Sequence, residues 1–232
     1  TILMKRLLSF LTVLLLLIPT AVDASSTRVN NIGITCQIDQ NGTATFVEKW
    51  DMDVSEGTEG YKIFNGMNDQ PLTLIGVTDD RGVTYKNIGT WDSDVSRESK
   101  INKCGLIKDG GHYELCFGLG DYGTRSYTMV YQIEHFVNQY KDQQGINYAF
   151  ISDMSLDVAD VTIHVTGITP YSKENAKIWA FGYSGSVNFD NGGVTLKTDS
   201  LGSNKMQLLM GLESNSYTSP NKRHASEKFE DV

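Results

Sequence analysis

The sequence predicts an all-β protein, a two-sheet antiparallel β-sandwich of about ten to twelve strands with little helix. Three observations carry that expectation. From Ile34 onward, apolar residues recur at alternate positions, which is the side-chain period of a strand. Turn sequences such as Asp39-Gln40-Asn41-Gly42 and Asp190-Asn191-Gly192-Gly193 separate the alternating runs. No segment carries a sustained helical stripe, which removes α/β folds with their cofactor-binding crossovers.

The elements follow in order. Ile34, Cys36 and Ile38 alternate with polar residues. Across the Asn-Gly turn, Ala44, Phe46, Trp50, Met52 and Val54 continue on alternate positions, the pattern of a hairpin. Leu72 to Thr78 and Val83 to Ile88 flank the turn Asp79-Asp80-Arg81-Gly82. Tyr113 to Phe117 runs into the Gly-rich stretch from Gly118 to Gly123. Tyr127, Met129, Tyr131, Ile133 and Val137 share one face of a long strand, and Val161, Ile163 and Val165 line another. Ile178 to Tyr183, Val187 to Phe189, Val194 to Thr198 and Met206 to Leu212 complete the set.

A chain of 232 residues has room for one domain or two small ones. A boundary near Asp142-Gln143-Gln144-Gly145 would give two β halves, but apolar strands flank it closely and favour one sandwich over residues 25–214. Twenty Lys+Arg against 28 Asp+Glu give a net charge of -8, which argues against a nucleic-acid partner, since a phosphate backbone needs a basic footprint.

Met4-Lys5-Arg6, the apolar run Leu7 to Ile18, Pro19 and Ala21-Val22-Asp23-Ala24 form the basic, apolar and small-residue regions of a signal peptide over residues 1–24. The apolar run falls short of the ~20 residues of a spanning helix. Cleavage after Ala24 is expected, with Ala21 and an uncleaved anchor as alternatives. Thr1-Ile2-Leu3 read as a scar ahead of the natural start. Cleavage leaves a net charge of -9 on a chain working outside the cytoplasm, where disulfides are permitted. Residues 215–232 read as a polar tail or linker leading toward a membrane segment that this chain does not include, with room for a short helix from Ala225.

Glu48 is the most informative residue, because it falls on the apolar face of its strand between Phe46 and Trp50. A carboxylate there needs a partner. It is either a buried ion pair, with Lys62 or Arg125, or a site acid, or it is turned outward by a bulge. Cys104 and Cys116 lie symmetrically about Gly110, so a hairpin with Asp109-Gly110-Gly111 as its loop would oppose them as a disulfide candidate; two buried thiols are the alternative. Cys36 reads as a buried free thiol.

Asp51 and Asp53, Asp79 and Asp80, and Asp92 and Asp94 are acidic pairs in which Ca2+ could find oxygen ligands, although none completes a calcium loop. No cofactor is expected. Gly182-Tyr183-Ser184-Gly185-Ser186 resembles a nucleophile elbow but has Ser in place of the last Gly and lies between strands. Trp50 and Trp179 fit strand patterns and read as core. Trp91, in a loop beside Asp92 and Asp94, is the candidate for surface binding.

Several stretches resemble the YciQ-like family of bacterial membrane proteins. Asp39-Gln-Asn-Gly42 followed by Ala-Thr-Phe-Val-Glu48-Lys-Trp50 is similar to the opening of its extracytoplasmic domain. Gly57-Thr-Glu-Gly-Tyr-Lys-Ile-Phe64, Cys104-Gly-Leu-Ile, Tyr113-Glu-Leu-Cys-Phe-Gly-Leu-Gly120 and Ala180-Phe-Gly-Tyr-Ser-Gly185 are similar to later blocks. The resemblance implies a β-sandwich outside the membrane with transmembrane segments after it, and it carries over no catalytic residue. The expectation is a noncatalytic binding module at the cell surface with an envelope or protein partner. A carbohydrate-binding module and an envelope hydrolase using carboxylates are the alternatives.

Overall fold

In the computed structural model, which describes residues 26–213 and 215–232, fifteen strands form three sheets. Sheet A has the order β13 (Ser186–Asp190), β14 (Gly193–Thr198), β11 (Val158–Thr166), β1 (Arg28–Ile38), β2 (Ala44–Val54), β8 (Gly123–Ile133) and β4 (Leu72–Asp79). Sheet B has the order β3 (Glu59–Phe64), β7 (His112–Gly118), β6 (Lys103–Asp109) and β5 (Lys86–Thr90). Sheet C has the order β12 (Ala176–Phe181), β15 (Met206–Leu212), β10 (Gln144–Ile151) and β9 (Asn138–Gln139). A single helical turn, α1 (Arg97–Lys100), precedes β6, and a 3-10 turn lies at Phe229–Asp231.

The all-β sandwich stands, divided more finely than the sequence pattern implied. The second layer is split into two sheets, and two strand pairs, β1 with β11 and β5 with β6, are parallel. The first hairpin forms at the Asn-Gly turn as expected. Asp39 Oδ1 accepts the N–H of Asn41 and of Thr43, and Gly42 takes φ +85°. The long strand at Tyr127 stops at Ile133, because His135 adopts a left-handed φ of 52°. Residues 142–145 turn the chain from β9 into β10, with Tyr140 N–H donating to the Gln143 carbonyl. The expected signal segment at residues 1–24 lies outside the described residues.

The inner face of sheet A packs on both smaller sheets and forms one core with them. Phe46 stacks on Tyr131 at 4.8 Å and meets Phe150 of sheet C at 6.0 Å. Trp50 and Tyr127 meet Phe117 of sheet B at 6.2 and 4.7 Å. Burying such aromatic surface supplies the driving force for layering.

The hairpin β6–β7 corrects the disulfide expectation. Asp109 pairs with His112 across a loop of two residues, Gly110 and Gly111, so Cys104 faces Phe117 and Cys116 faces Gly105. A one-residue change of register sends a side chain to the opposite face of the sheet. All three cysteines are free and buried. Burial pushes the Cys104 thiol up to about 11 and those of Cys36 and Cys116 higher still.

The polar segment after residue 214 is docked rather than frayed. Tyr217, Asn221 and Phe229 are buried anchors, Asn221 pairs with Asn138 beside β9, and Lys141 N–H donates to the Glu227 carbonyl. No helix forms at Ala225; residues there are in turns.

Candidate functional site

Glu48 is fully buried, at 0 % exposure, and its carboxylate is saturated. Oε1 accepts the Trp50 indole N–H at 2.7 Å, and Oε2 accepts Lys62 Nζ and the Tyr131 hydroxyl, each at 2.7 Å. The two residues of β2 belong to sheet A, and Lys62 rises from β3 of sheet B. Lys62 also donates to the Phe150 carbonyl of β10 in sheet C at 2.7 Å. That carbonyl is available because Phe150 is the extra residue of a bulge: Ala149 pairs with Gln207 and Ile151 with Met206. One ion pair thus joins all three sheets. Burial, and then the charge of Glu48, hold the Tyr131 and Tyr148 hydroxyls well above the usual tyrosine range.

Of the two partners considered for Glu48, the structure selects Lys62. Arg125 instead donates to Asp79 at 3.3 Å and Asp80 at 2.9 Å, and Arg81 donates to Asp79 at 2.7 Å. Asp51 and Asp53 are likewise taken up, by Lys49 and Arg28. All four carboxylates raised as calcium ligands near β2 and β4 therefore already face a cation across 3.1 Å or less.

Trp91 is not the surface aromatic its loop position implied. It is buried at 4 % exposure, and its indole N–H donates to Glu59 Oε2 at 2.6 Å. Glu59 also pairs with buried Lys100 at 3.0 Å. The loop after β5 folds back over sheet B, held by the Trp91 N–H to the Leu106 carbonyl. Asp92 and Asp94 remain exposed, with Asp94 N–H on Asp92 Oδ1 in a local turn. Glu48, Trp91, Asp92 and Asp94 thus do not form one site. Trp179, read as core, is 42 % exposed on the outer face of sheet C.

The structure brings together a group that the sequence pattern did not. β3 ends sheet B, and β10 is a free edge of sheet C beyond the short β9. A cleft of about 450 Å³ opens between these edges and the docked C-terminal segment. Its floor holds Phe64 and Tyr148, and its walls hold Asn65, Asn138, Asn147 and Asn221. Lys205, Arg223, His224 and Asp153 also line it. Asn65 ties the two edges together by donating to Asp153 at 3.2 Å while its Oδ1 meets His112 at 2.8 Å. The His224 ring stacks on Tyr140 at 5.9 Å. These residues lie in turns and at strand ends, so no period in the sequence marks them. A second pocket of about 330 Å³, lined mainly by Trp50, Met52, Leu119, Met154 and Leu156, lies toward the other end of β3.

Comparison with known proteins gives a family and distant structural likenesses. The family model described as predicted membrane protein (DUF2207), N-terminal domain, matches residues 28–206. Native yeast LTA4 hydrolase is similar at a TM-score of 0.49 and 7 % identity, over 83 % of this chain and 31 % of that one. The M1 zinc metallopeptidase of Deinococcus radiodurans is similar at a TM-score of 0.41 and 10 % identity, over 80 % of this chain and 42 % of that one. The chain therefore spans less than half the length of either protein. No curated protein matches it.

Proposed function

The chain belongs to the family of predicted membrane proteins that carry the DUF2207 N-terminal domain, and from that premise we propose that it is a noncatalytic binding module on the extracytoplasmic face of the membrane. The N-terminal basic, apolar and small-residue pattern supports export. The observation that carries the binding role is the cleft between the free edges of β3 and β10. It has the volume of a ligand site, aromatic residues on its floor and several convergent polar groups on its walls. The noncatalytic part of the reading is supported by Glu48. A carboxylate closed off from solvent and occupied by three donors serves as a structural tie, because a general acid or base must reach its substrate.

Hydrogen exchange of the full chain with and without isolated bacterial cell envelope tests this. Slowed exchange over residues 138–149 and 219–224, reduced in the double variant Asn147→Ala/Arg223→Ala, is the expected outcome. Unchanged exchange in those segments overturns the reading. So does an envelope-degrading activity that Glu48→Gln abolishes while the fold is retained.

A further inference from the structure

The cleft does not end at β10. Cross-strand pairs share a face of a sheet, so Asn147, Leu209 and Trp179 form one row across the outer face of sheet C. Ala149, Gln207 and Phe181 form the next. Trp179 and Phe181 are 42 % and 47 % exposed. They stand about 7 Å apart along β12 and about 10 Å, two strand spacings, from the cleft-lining residues of β10. Phe229 extends the aromatic strip, resting over Gly145 and Gly211, where any side chain would collide with its ring.

The hydrogen bonds of the cleft have a direction. Lys205 can only donate, and it donates to Gln207 Oε1 at 2.9 Å. That turns Gln207 Nε2 toward Asn147, where it donates to Oδ1 at 2.6 Å. The Asn147 amide nitrogen is thereby left for a ligand. Asn221, only 7 % exposed, spends Oδ1 on the Arg223 N–H at 3.0 Å, and its own amide nitrogen has no partner among the described residues. The Arg223 guanidinium also has none. The cleft therefore offers donors, two amides and a planar cationic fork, alongside the single carboxylate of Asp153, within a chain of net charge -8. A ligand for it must be rich in acceptors, carry negative charge, and present flat apolar faces to aromatic rings.

Resting on the reading of the cleft as the binding site, we propose that its ligand is a carboxylated oligosaccharide. One sugar sits in the cleft with its carboxylate on Arg223, and further rings cross Gln207 and Leu209 onto Trp179 and Phe181. Arg matches a carboxylate bidentately, and the C–H faces of pyranose rings stack on exposed aromatics. The Asp153 carboxylate in the same lining favours a single carboxylate per sugar over a dense phosphate chain.

Titration calorimetry of the full chain tests this with hexasaccharides built from galacturonate, from mannuronate and from glucuronate-containing repeats. Maltohexaose serves as the neutral control and hexaglutamate as the acidic peptide. Saturable binding to at least one carboxylated saccharide is expected, weakened about tenfold or more by Arg223→Ala and by Trp179→Ala and at least tenfold tighter than to maltohexaose. Circular dichroism of both variants should match the parent, since both residues are exposed. Hexaglutamate binding equally well, binding indifferent to both substitutions, or no saturation by any carboxylated saccharide up to about 1 mM overturns the proposal. If none binds while envelope still protects the cleft from exchange, the ligand assignment fails and the cleft reading survives. If neither occurs, both fall.

Discussion

The same three-residue device occurs twice in this protein. Trp50 and Lys62 converge on Glu48, and Trp91 and Lys100 converge on Glu59. In each, a carboxylate, fully buried at Glu48 and partly buried at Glu59, is satisfied by a cation and an indole N–H, the condition under which a charge tolerates burial. Asp79 is satisfied differently. Burial opposes its ionisation, but hydrogen bonds from Arg81 and from the backbone N–H groups of Val83 and Arg81 outweigh that and hold its carboxyl below the usual range. A lowered folded pKa contributes stability that is complete above the unfolded value and lost as pH falls through the folded one. Chemical denaturation should therefore show the parent losing stability below pH ~4, whereas Asp79→Asn loses less over that window. At pH 7 the variant should be less stable by about 2 kcal/mol, and equal stability there would mean that Arg81 and Arg125 do not depend on this carboxylate.

Register and close approach decide what happens within single elements. The two-residue loop of the β6–β7 hairpin separates Cys104 from Cys116, although both sequence positions invite a bridge. At the end of the same hairpin, a Cβ on Gly118 would overlap the Lys100 carbonyl oxygen at the end of α1. Backbone cannot give way as a side chain can, so Gly118→Ala should cost about 2 kcal/mol and lower the melting temperature. Gly33, mid-strand in β1, has open space around its Cα and no left-handed φ. Gly33→Ala should leave the melting temperature unchanged or raise it, since Ala loses less chain entropy on folding. Calorimetry of the two variants checks both, and equal shifts would remove the packing argument.

For the whole molecule, the Glu48–Lys62 pair links sheets A, B and C together. Breaking a buried pair by removing one partner strands the other charge and costs about 3 kcal/mol or more. Lys62→Met also frees the Phe150 carbonyl, so the smaller sheets lose their common tie to sheet A. Near-ultraviolet and far-ultraviolet transitions should coincide in the parent and separate in Lys62→Met. Coincident transitions with an unchanged midpoint would mean that aromatic packing alone holds the sheets together.

The period-two pattern and the Asn-Gly turn determine the β class, the hairpin β1–β2 and the strand at Met206–Leu212, because alternation and turn chemistry are local. The same locality placed Glu48 on an inward face, whereas the packing of sheet B on sheet A decides that Lys62 and not Arg125 reaches it. Alternation does not say which face of a strand the fold will cover. Trp91 and Trp179 therefore exchange roles, the loop residue going inside and the strand residue outside. Nor does it say how far a chain returns, and so Asn138, Asn147, Asn221 and Arg223, scattered over turns and strand ends, become one cleft only when the C-terminal segment docks beside β9. Local backbone and side-chain preferences decide the elements. Long-range burial, which depends on every sheet at once, decides the site.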